Sequence, residues 1–244
     1  MDILKVNYNN ITLNKAVERS MELLKSNKKS NIFFLNIDCL RQSQKDKEYR
    51  DIMRWAECVF PDGVGIKIAS RICGGSMKDN CNGTDLSPLL FEKFAKGGFK
   101  MFLLGGAPGI ARQAAVNLRR RMPDVQIVGT HHGYMDEDET VIDQINKSGA
   151  DVLFVAMGVP IQEKWIHRNR GRLDPKLCLG VGALLDYLSG SIPRAPKFFR
   201  FLSMEWLWRC FVNPKRMIRR YFVNDLGFLT WLIFHRIKTV VFEK

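Results

Sequence analysis

Asp62 is the residue whose setting first suggests chemistry. It sits in "ECVFPDGVGIKIAS" (57–70), between Pro61, which stiffens the chain, and Gly63, which frees it. The apolar pair Val59-Phe60 precedes it, and Val64, Ile66, Ile68 and Ala69 after it read as a partly buried helix. Two roles fit: an N-cap for that helix, or a general base held at the mouth of a cleft. A second group lies in "GVPIQEKWI" (158–166), where Pro160 opens a helix with Gln162 and Glu163 in its first turn. Gln162 can donate or accept towards a sugar hydroxyl or a phosphate, whereas ionised Glu163 only accepts; Pro and Glu also favour helix starts in their own right. Asp186, in "GVGALLDYLSG" (180–190), falls just beyond a strand, placed for ribose hydroxyls or for a structural ion pair. Asp136-Glu137-Asp138 has the form of a metal-holding Asp-x-Asp, but it directly precedes a helical stretch, where the dipole favours acids without any metal. His131-His132 lacks ligand spacing, so no metal site is assigned.

These groups need elements to hold them. "TLNKAVERSMELLKS" (12–26) has the spacing of an amphipathic helix opened by Thr12, "NIFFLNID" (31–38) reads as a buried strand, and "DKEYRDIMRWAEC" (46–58) and "DLSPLLFEKFAKGG" (85–98) read as helices. From Lys100 the pattern becomes regular. "KMFLLGG", "VQIVGTH", "DVLFVAMG" and "LCLGVGA" are short apolar strands separated by helical stretches at 109–121, 137–148 and 160–170. Alternating strand and helix predicts an α/β fold, a mostly parallel sheet covered on both faces. Such sheets bind ligands beyond the carboxyl ends of their strands, and three strands here end in glycine: Gly105-Gly106, Gly158 with Pro160, and Gly180 with Gly182. "LLGGAPGIA" is neither GxGxxG nor a P-loop, so NAD or ATP chemistry is not favoured.

With 46% hydrophobic and 26% charged residues, the 244-residue chain has the balance of a soluble globular protein rather than a disordered one. Its six cysteines form no CxxC pair, which fits a reducing cytosol, and "MDILKVNYNN" has no secretory h-region. The net charge of +13 is concentrated late: residues 191–244 carry eleven Lys or Arg against three acids, with Trp206, Trp208 and Trp231. This divides the chain into a core (1–190) and a basic, aromatic appendage (191–244). Its longest apolar run, "LGFLTWLIF", falls short of the roughly 20 residues that span a bilayer. The composition suits a binding surface, and it leaves open a non-enzymatic membrane or nucleic-acid binding module beside an enzyme.

"FPDGVGI", "LLGGAPGIA", "VGTHHGYM", "VAMGVPIQEKW", "GVGALLDYLSGSIPRAP" and "MEWLWRCFVNPKRMIRRYF" occur in this order, and through them the chain resembles the WecG/TagA/CpsF family of bacterial glycosyltransferases over nearly its whole length. The resemblance implies a Rossmann-like α/β core with a helical, membrane-associating C-terminal appendage that completes the site. It implies inverting transfer from a UDP-sugar donor to a lipid-diphosphate-linked glycan acceptor, without cofactor or required metal, peripherally at the cytoplasmic face of the bacterial inner membrane. The partners it implies are those two substrates and an anionic membrane surface, with no nucleic acid and a homo-oligomer left open. By resemblance Asp62 matches the base, Asn36 and Gln162 position sugar or acceptor, and Gly105, Gly106, Tyr134 and Asp186, with Glu163, hold the nucleotide. Arg209, Arg216, Arg219 and Arg220 meet phosphate and membrane. Two positions depart from the family pattern. Phe34 stands where many members have Thr in Thr-x-Asn, and Asp79-Asn80 stands in place of Glu-Arg, removing a bidentate phosphate donor.

Overall fold

A computed structural model describes residues 1–26, 28–135, 137–196, 198–199 and 204–242. A six-stranded sheet forms its centre: β3 (Ser30–Leu35), β4 (Cys58–Pro61), β5 (Lys100–Gly105), β6 (Gln126–His131), β7 (Val152–Ala156) and β8 (Leu177–Gly180). All pairings are parallel, in the order β4-β3-β8-β7-β5-β6. A small antiparallel hairpin, β1 (Asp2–Ile3) and β2 (Val6–Asn7), precedes it. Strands β3, β4, β7 and β8 are buried at every position, as a parallel sheet covered on both faces requires of its apolar runs.

Alternation along each strand divides the core in two. Phe34, Phe60, Leu103 and Phe154 point to one side, packing on α1 (Leu13–Lys25), α5 (Gly83–Lys96), α6 (Ile110–Arg121) and α9 (Leu184–Ser189). Phe33, Leu35, Val59 and Leu153 point to the other, beneath α2 (Ile37–Lys45), α3 (Lys47–Trp55), α4 (Val64–Ile72), α7 (Asp138–Lys147) and α8 (Ile161–Asn169). The C-terminal segment continues as α10 (Glu205–Val212), α11 (Pro214–Ile218), a π-helical turn (Arg219–Asp225) and α12 (Leu226–Phe242). Phe228 and Leu232 of α12 are buried in the second core, so the appendage lies on the sheet's helical layer next to α4.

The regular half of the chain folds where its periodicity places it. Two boundaries differ. The strand expected over 31–38 stops at Leu35, because the Asn36 side chain accepts the Cys39 N–H (3.0 Å) and caps α2, an element the sequence reading lacked. The helix expected over 46–58 ends at Trp55, and Cys58–Pro61 forms the edge strand β4; an edge position tolerates Pro61, whose nitrogen cannot donate to a ladder.

Candidate active site

Because every strand of the sheet runs the same way, the candidate residues collect along one edge in strand order: Asp62 after β4, Asn36 after β3, Gly182 and Asp186 after β8, Gln162 and Glu163 after β7, Gly105-Gly106 at the end of β5, and Tyr134 after β6.

Asp62 does not cap α4. Gly63 holds the N-cap position, at φ +90° where side chains are strained, and no side chain caps the helix. The Asp62 N–H instead donates to the Leu35 carbonyl (2.8 Å), tying the turn to the neighbouring strand. Asn80 accepts the Gly63 N–H through its Oδ1 (2.8 Å), and the Cys81 N–H donates to the Pro61 carbonyl (3.0 Å). The turn is thus braced from two sides. The carboxylate itself is half-buried. Burial pushes its pKa above the ordinary range, Arg209 and Arg220 pull it back, and the charges of Glu205 and Asp85 raise it again. A carboxylate so balanced is a better base than one on an open surface.

The cations come from the appendage, and one arginine fastens it. Arg194, just past α9, pairs with Asp85 on α5 and brings its Nε to 3.6 Å from Glu205 on α10, while Trp208 Nε1 donates to the Pro193 carbonyl (3.3 Å). That places α10 so that the Arg209 guanidinium stands over the Tyr187 ring, 5.6 Å from its centroid. Arg220, on the π-helical turn, lies 3.7 Å from Asp38 of α2, which also pairs with Arg41 at 2.5 Å. Together with Lys215, Arg219 and Asn224, these three line a cleft of about 510 Å³. Arg219 is exposed at its rim, and the side chain of Arg216 lies outside what the structure describes.

Across the sheet the glycines make a ledge. At Gly105, φ is +137° and a Cβ would meet the Ala156 carbonyl oxygen at 2.2 Å, so only glycine lets β5 and β7 end this close. The Gly106 carbonyl accepts the Gly133 N–H (2.9 Å), which holds the loop bearing Tyr134 against the ledge; Tyr134 itself is 74% exposed. Gln162 is 2% exposed, and its Oε1 accepts from the Gly182 N–H (2.9 Å) and the Gly158 N–H (3.3 Å), bracing the ends of β8 and β7 together. Its Nε2 donates to Glu163 Oε1 (2.7 Å). Glu163, expected at the nucleotide, lies instead fully buried beneath Gln162 with Oε2 unpartnered, and burial pushes its pKa up to about 7. Asn36 spends its Oδ1 on the α2 cap, so the group it can offer a substrate is its Nδ2.

Of the acidic run, Asp136 lies outside the described residues. Asp138 accepts from Trp165 Nε1 (2.8 Å), Arg168 Nη2 (2.8 Å) and Asn169 Nδ2 (3.2 Å), so it ties α7 to α8 as well as standing in a first helical turn. Sequence reasoning did not single out Tyr187, Arg194, Asp85, Asp38 or Arg41. Arg194 and Asp85 sit inside recognisable motifs, "PRAP" and "GTDL", which was the available signal; their pairing across 109 positions is visible only in the fold.

A parallel α/β sheet whose carboxyl edge gathers a carboxylate, glycine ledges and appendage arginines is the scaffold of an enzyme for anionic, phosphate-bearing substrates. The sequence profile of the family "Glycosyl transferase WecG/TagA/CpsF family" matches residues 1–240, and the chain belongs to that family; it is a glycosyltransferase. It is 31% identical over 222 residues to a Staphylococcus aureus protein named N-acetylglucosaminyldiphosphoundecaprenol N-acetyl-beta-D-mannosaminyltransferase, covering 90% of this chain and 87% of the relative. A Bacillus spizizenii protein of the same name is 30% identical over 196 residues, covering 80% of this chain and 76% of the relative. Family membership sets aside the non-enzymatic alternative.

Proposed function

We propose that this enzyme transfers a sugar, with inversion, from a UDP-sugar to a glycan carried on a polyprenyl diphosphate, as a step in building a surface polysaccharide. The observation that carries this reading is that Asp62, just after β4 at the carboxyl edge of the sheet, lies in the electrostatic field of Arg209 and Arg220 from the C-terminal helices. The names of the relatives, which specify a diphosphoundecaprenol acceptor and an N-acetyl-beta-D-mannosaminyl group, support the substrate class.

The acceptor hydroxyl attacks the anomeric carbon from the face opposite the diphosphate. Its proton passes to the Asp62 carboxylate as the new C–O bond forms, and the bond from the anomeric carbon to the phosphate oxygen breaks, releasing UDP with the electron pair. Charge growing on UDP is met by Arg209 and Arg220 and by backbone N–H groups of the ledge. The ledge of Gly105 and Gly106, with Tyr134 and Asp186 beside it, receives the nucleotide, and Asn36 with Gln162 shapes the sugar pocket between ledge and base. Residues 1–190 act as the core, and residues 191–244 as an appendage that both completes the site and meets an anionic bilayer at the cytoplasmic face.

No helix among the described residues is long and apolar enough to cross a membrane. Phe211, Phe222 and Phe234 are each more than half exposed, and Arg219, Arg236 and Lys238 of the same C-terminal segment are exposed too, which supports peripheral attachment through the C-terminal helices.

The test is UDP release from a panel of UDP-sugars, beginning with UDP-N-acetylmannosamine, with a diphosphate-linked N-acetylglucosamine acceptor. Turnover that needs both substrates and falls about 10²- to 10⁴-fold in Asp62→Asn, with the thermal melt unchanged, is expected. An Asp62→Asn enzyme with wild-type turnover would remove Asp62 as the base.

A further inference from the structure

Next to the cationic cleft lies a second cavity, a groove of about 390 Å³ between α2 and the start of α12. The two share Arg41 and Asn224, so they are contiguous. Their chemistry differs sharply. Every residue lining the cleft is polar or charged, whereas the groove adds Val223, Phe228 and Trp231. Phe228 is buried as its floor, yet Val223 is 64% and Trp231 43% exposed. The Trp231 ring stacks on Phe228 (centroids 5.3 Å apart) and on His235 (5.0 Å), so one side of the groove is held by a column of stacked rings. Apolar surface left open to water in a concave site beside fixed cations describes a receptor for an amphiphile, its anionic head in the cleft and its hydrocarbon in the groove.

We infer that this groove is a subsite for the first isoprene units of the acceptor's lipid, an inference that rests on the lipid-diphosphate acceptor proposed above. Arg220 places the head: it lines the cleft, 3.7 Å from Asp38, and its charge also acts on Asp62, so the cleft and the carboxylate share one electrostatic field. The chain leaving that diphosphate on the far side from the sugar then runs past Arg41 and Asn224 onto Val223 and Trp231. In this arrangement the enzyme reads the lipid as well as the sugar, and the bilayer receives the tail only after its first units have crossed the groove.

The experiment compares two acceptors on the full-length enzyme in one detergent, N-acetylglucosamine diphosphate esterified with farnesyl or with methyl. Wild type is expected to prefer the farnesyl acceptor in kcat/KM. Trp231→Ala and Val223→Ser should each cut that preference about tenfold, the equivalent of losing burial of roughly two methylenes. Two variants are used because Trp231 also packs on Phe228, while Val223 is exposed. A wild type without preference, or variants that lose activity equally on both acceptors, would overturn the groove assignment; an ordinary bilayer or detergent chain as natural occupant would give that second result. Turnover of neither acceptor by wild type would remove the acceptor reading and this inference with it.

Discussion

Replacing Glu163 with Gln tests the brace beneath the strand ends, because it removes a charge from a buried place while keeping the shape. Glu163 is fully buried; Oε1 accepts from Gln162, and Oε2 has no partner. Burial raises its pKa from the ordinary 4.5 to about 7. At about 1.4 kcal/mol per tenfold change in proton affinity, holding it ionised costs the fold about 3 kcal/mol. The sign follows from proton binding. Between pH 4.5 and 7 the folded chain keeps a proton on Glu163 that the unfolded chain has released, so stability falls as pH rises through that window and stays low above it.

Glu163→Gln is neutral at every pH, and its Oε1 still accepts from Gln162. Urea unfolding of both proteins at pH 4.5, 6, 7 and 8.5 is therefore expected to give similar stabilities at the acid end, with the variant more stable by about 3 kcal/mol at pH 8.5. Parallel stability curves would refute the reasoning, since they would mean that the buried carboxyl ionises as it does in water. A variant less stable at all pH values would instead assign the unpartnered oxygen an essential acceptor role.

Further expectations concern the charges around the appendage. Activity should fail on the acid side as Asp62 takes up its proton, and because the Arg220 cation lowers that pKa, Arg220→Ala should move the acid limb of kcat to higher pH; an unmoved limb would place Arg220 out of Asp62's field. Asp225, 5% exposed with both carboxyl oxygens unpartnered, has a pKa raised to about 6 by burial; the folded state keeps its proton longer, so Asp225→Asn should raise the melting temperature above pH 6 and change it little near pH 4. The effect should be smaller than at Glu163, because Arg220 and Arg41 partly offset the ionised form. Salt at about 1 M, where the screening length is about 3 Å, should strip the protein from phosphatidylglycerol vesicles; a need for detergent would contradict attachment by surface charge.

Most of the parallel half was legible in the sequence, because buried strands leave continuous apolar runs and their glycine ends mark the ligand edge. The first half was less so. Asn36 looks like the last residue of a strand, and only its side chain turning back to Cys39 N–H makes it the start of a helix. "ECVFP" carries too few residues for periodicity to separate a strand from the end of a helix. At the candidate site, the Pro-Asp-Gly setting left Asp62 between a helix cap and a base, and the fold removes the cap. Glu163 was misleading: it reads as a first-turn acid available to a substrate, yet α8 turns it inward under Gln162. Asn80 was read as the loss of a phosphate donor, and the fold adds a second fact, that its Oδ1 braces the turn holding Asp62.

The division of the site between two parts of the chain has a physical consequence. The core holds a carboxylate, Asp62, whose burial favours the proton-bound form, and the cations that partly oppose this stand on α10 and on the π-helical turn. Asp62 and the cations that act on it are therefore coupled through the contacts that seat the C-terminal segment: Arg194 with Asp85 and Glu205 at one end, Asp38 with Arg220 and Arg41 at the other, and Phe228 and Leu232 in the core between α12 and α4. The polar contacts are partly solvated and individually weak, while the two apolar side chains contribute about 1.5–3 kcal/mol each when fully buried. Apolar packing thus anchors the C-terminal segment, and the ion pairs set its register, on which the field of Arg209 and Arg220 at Asp62 depends.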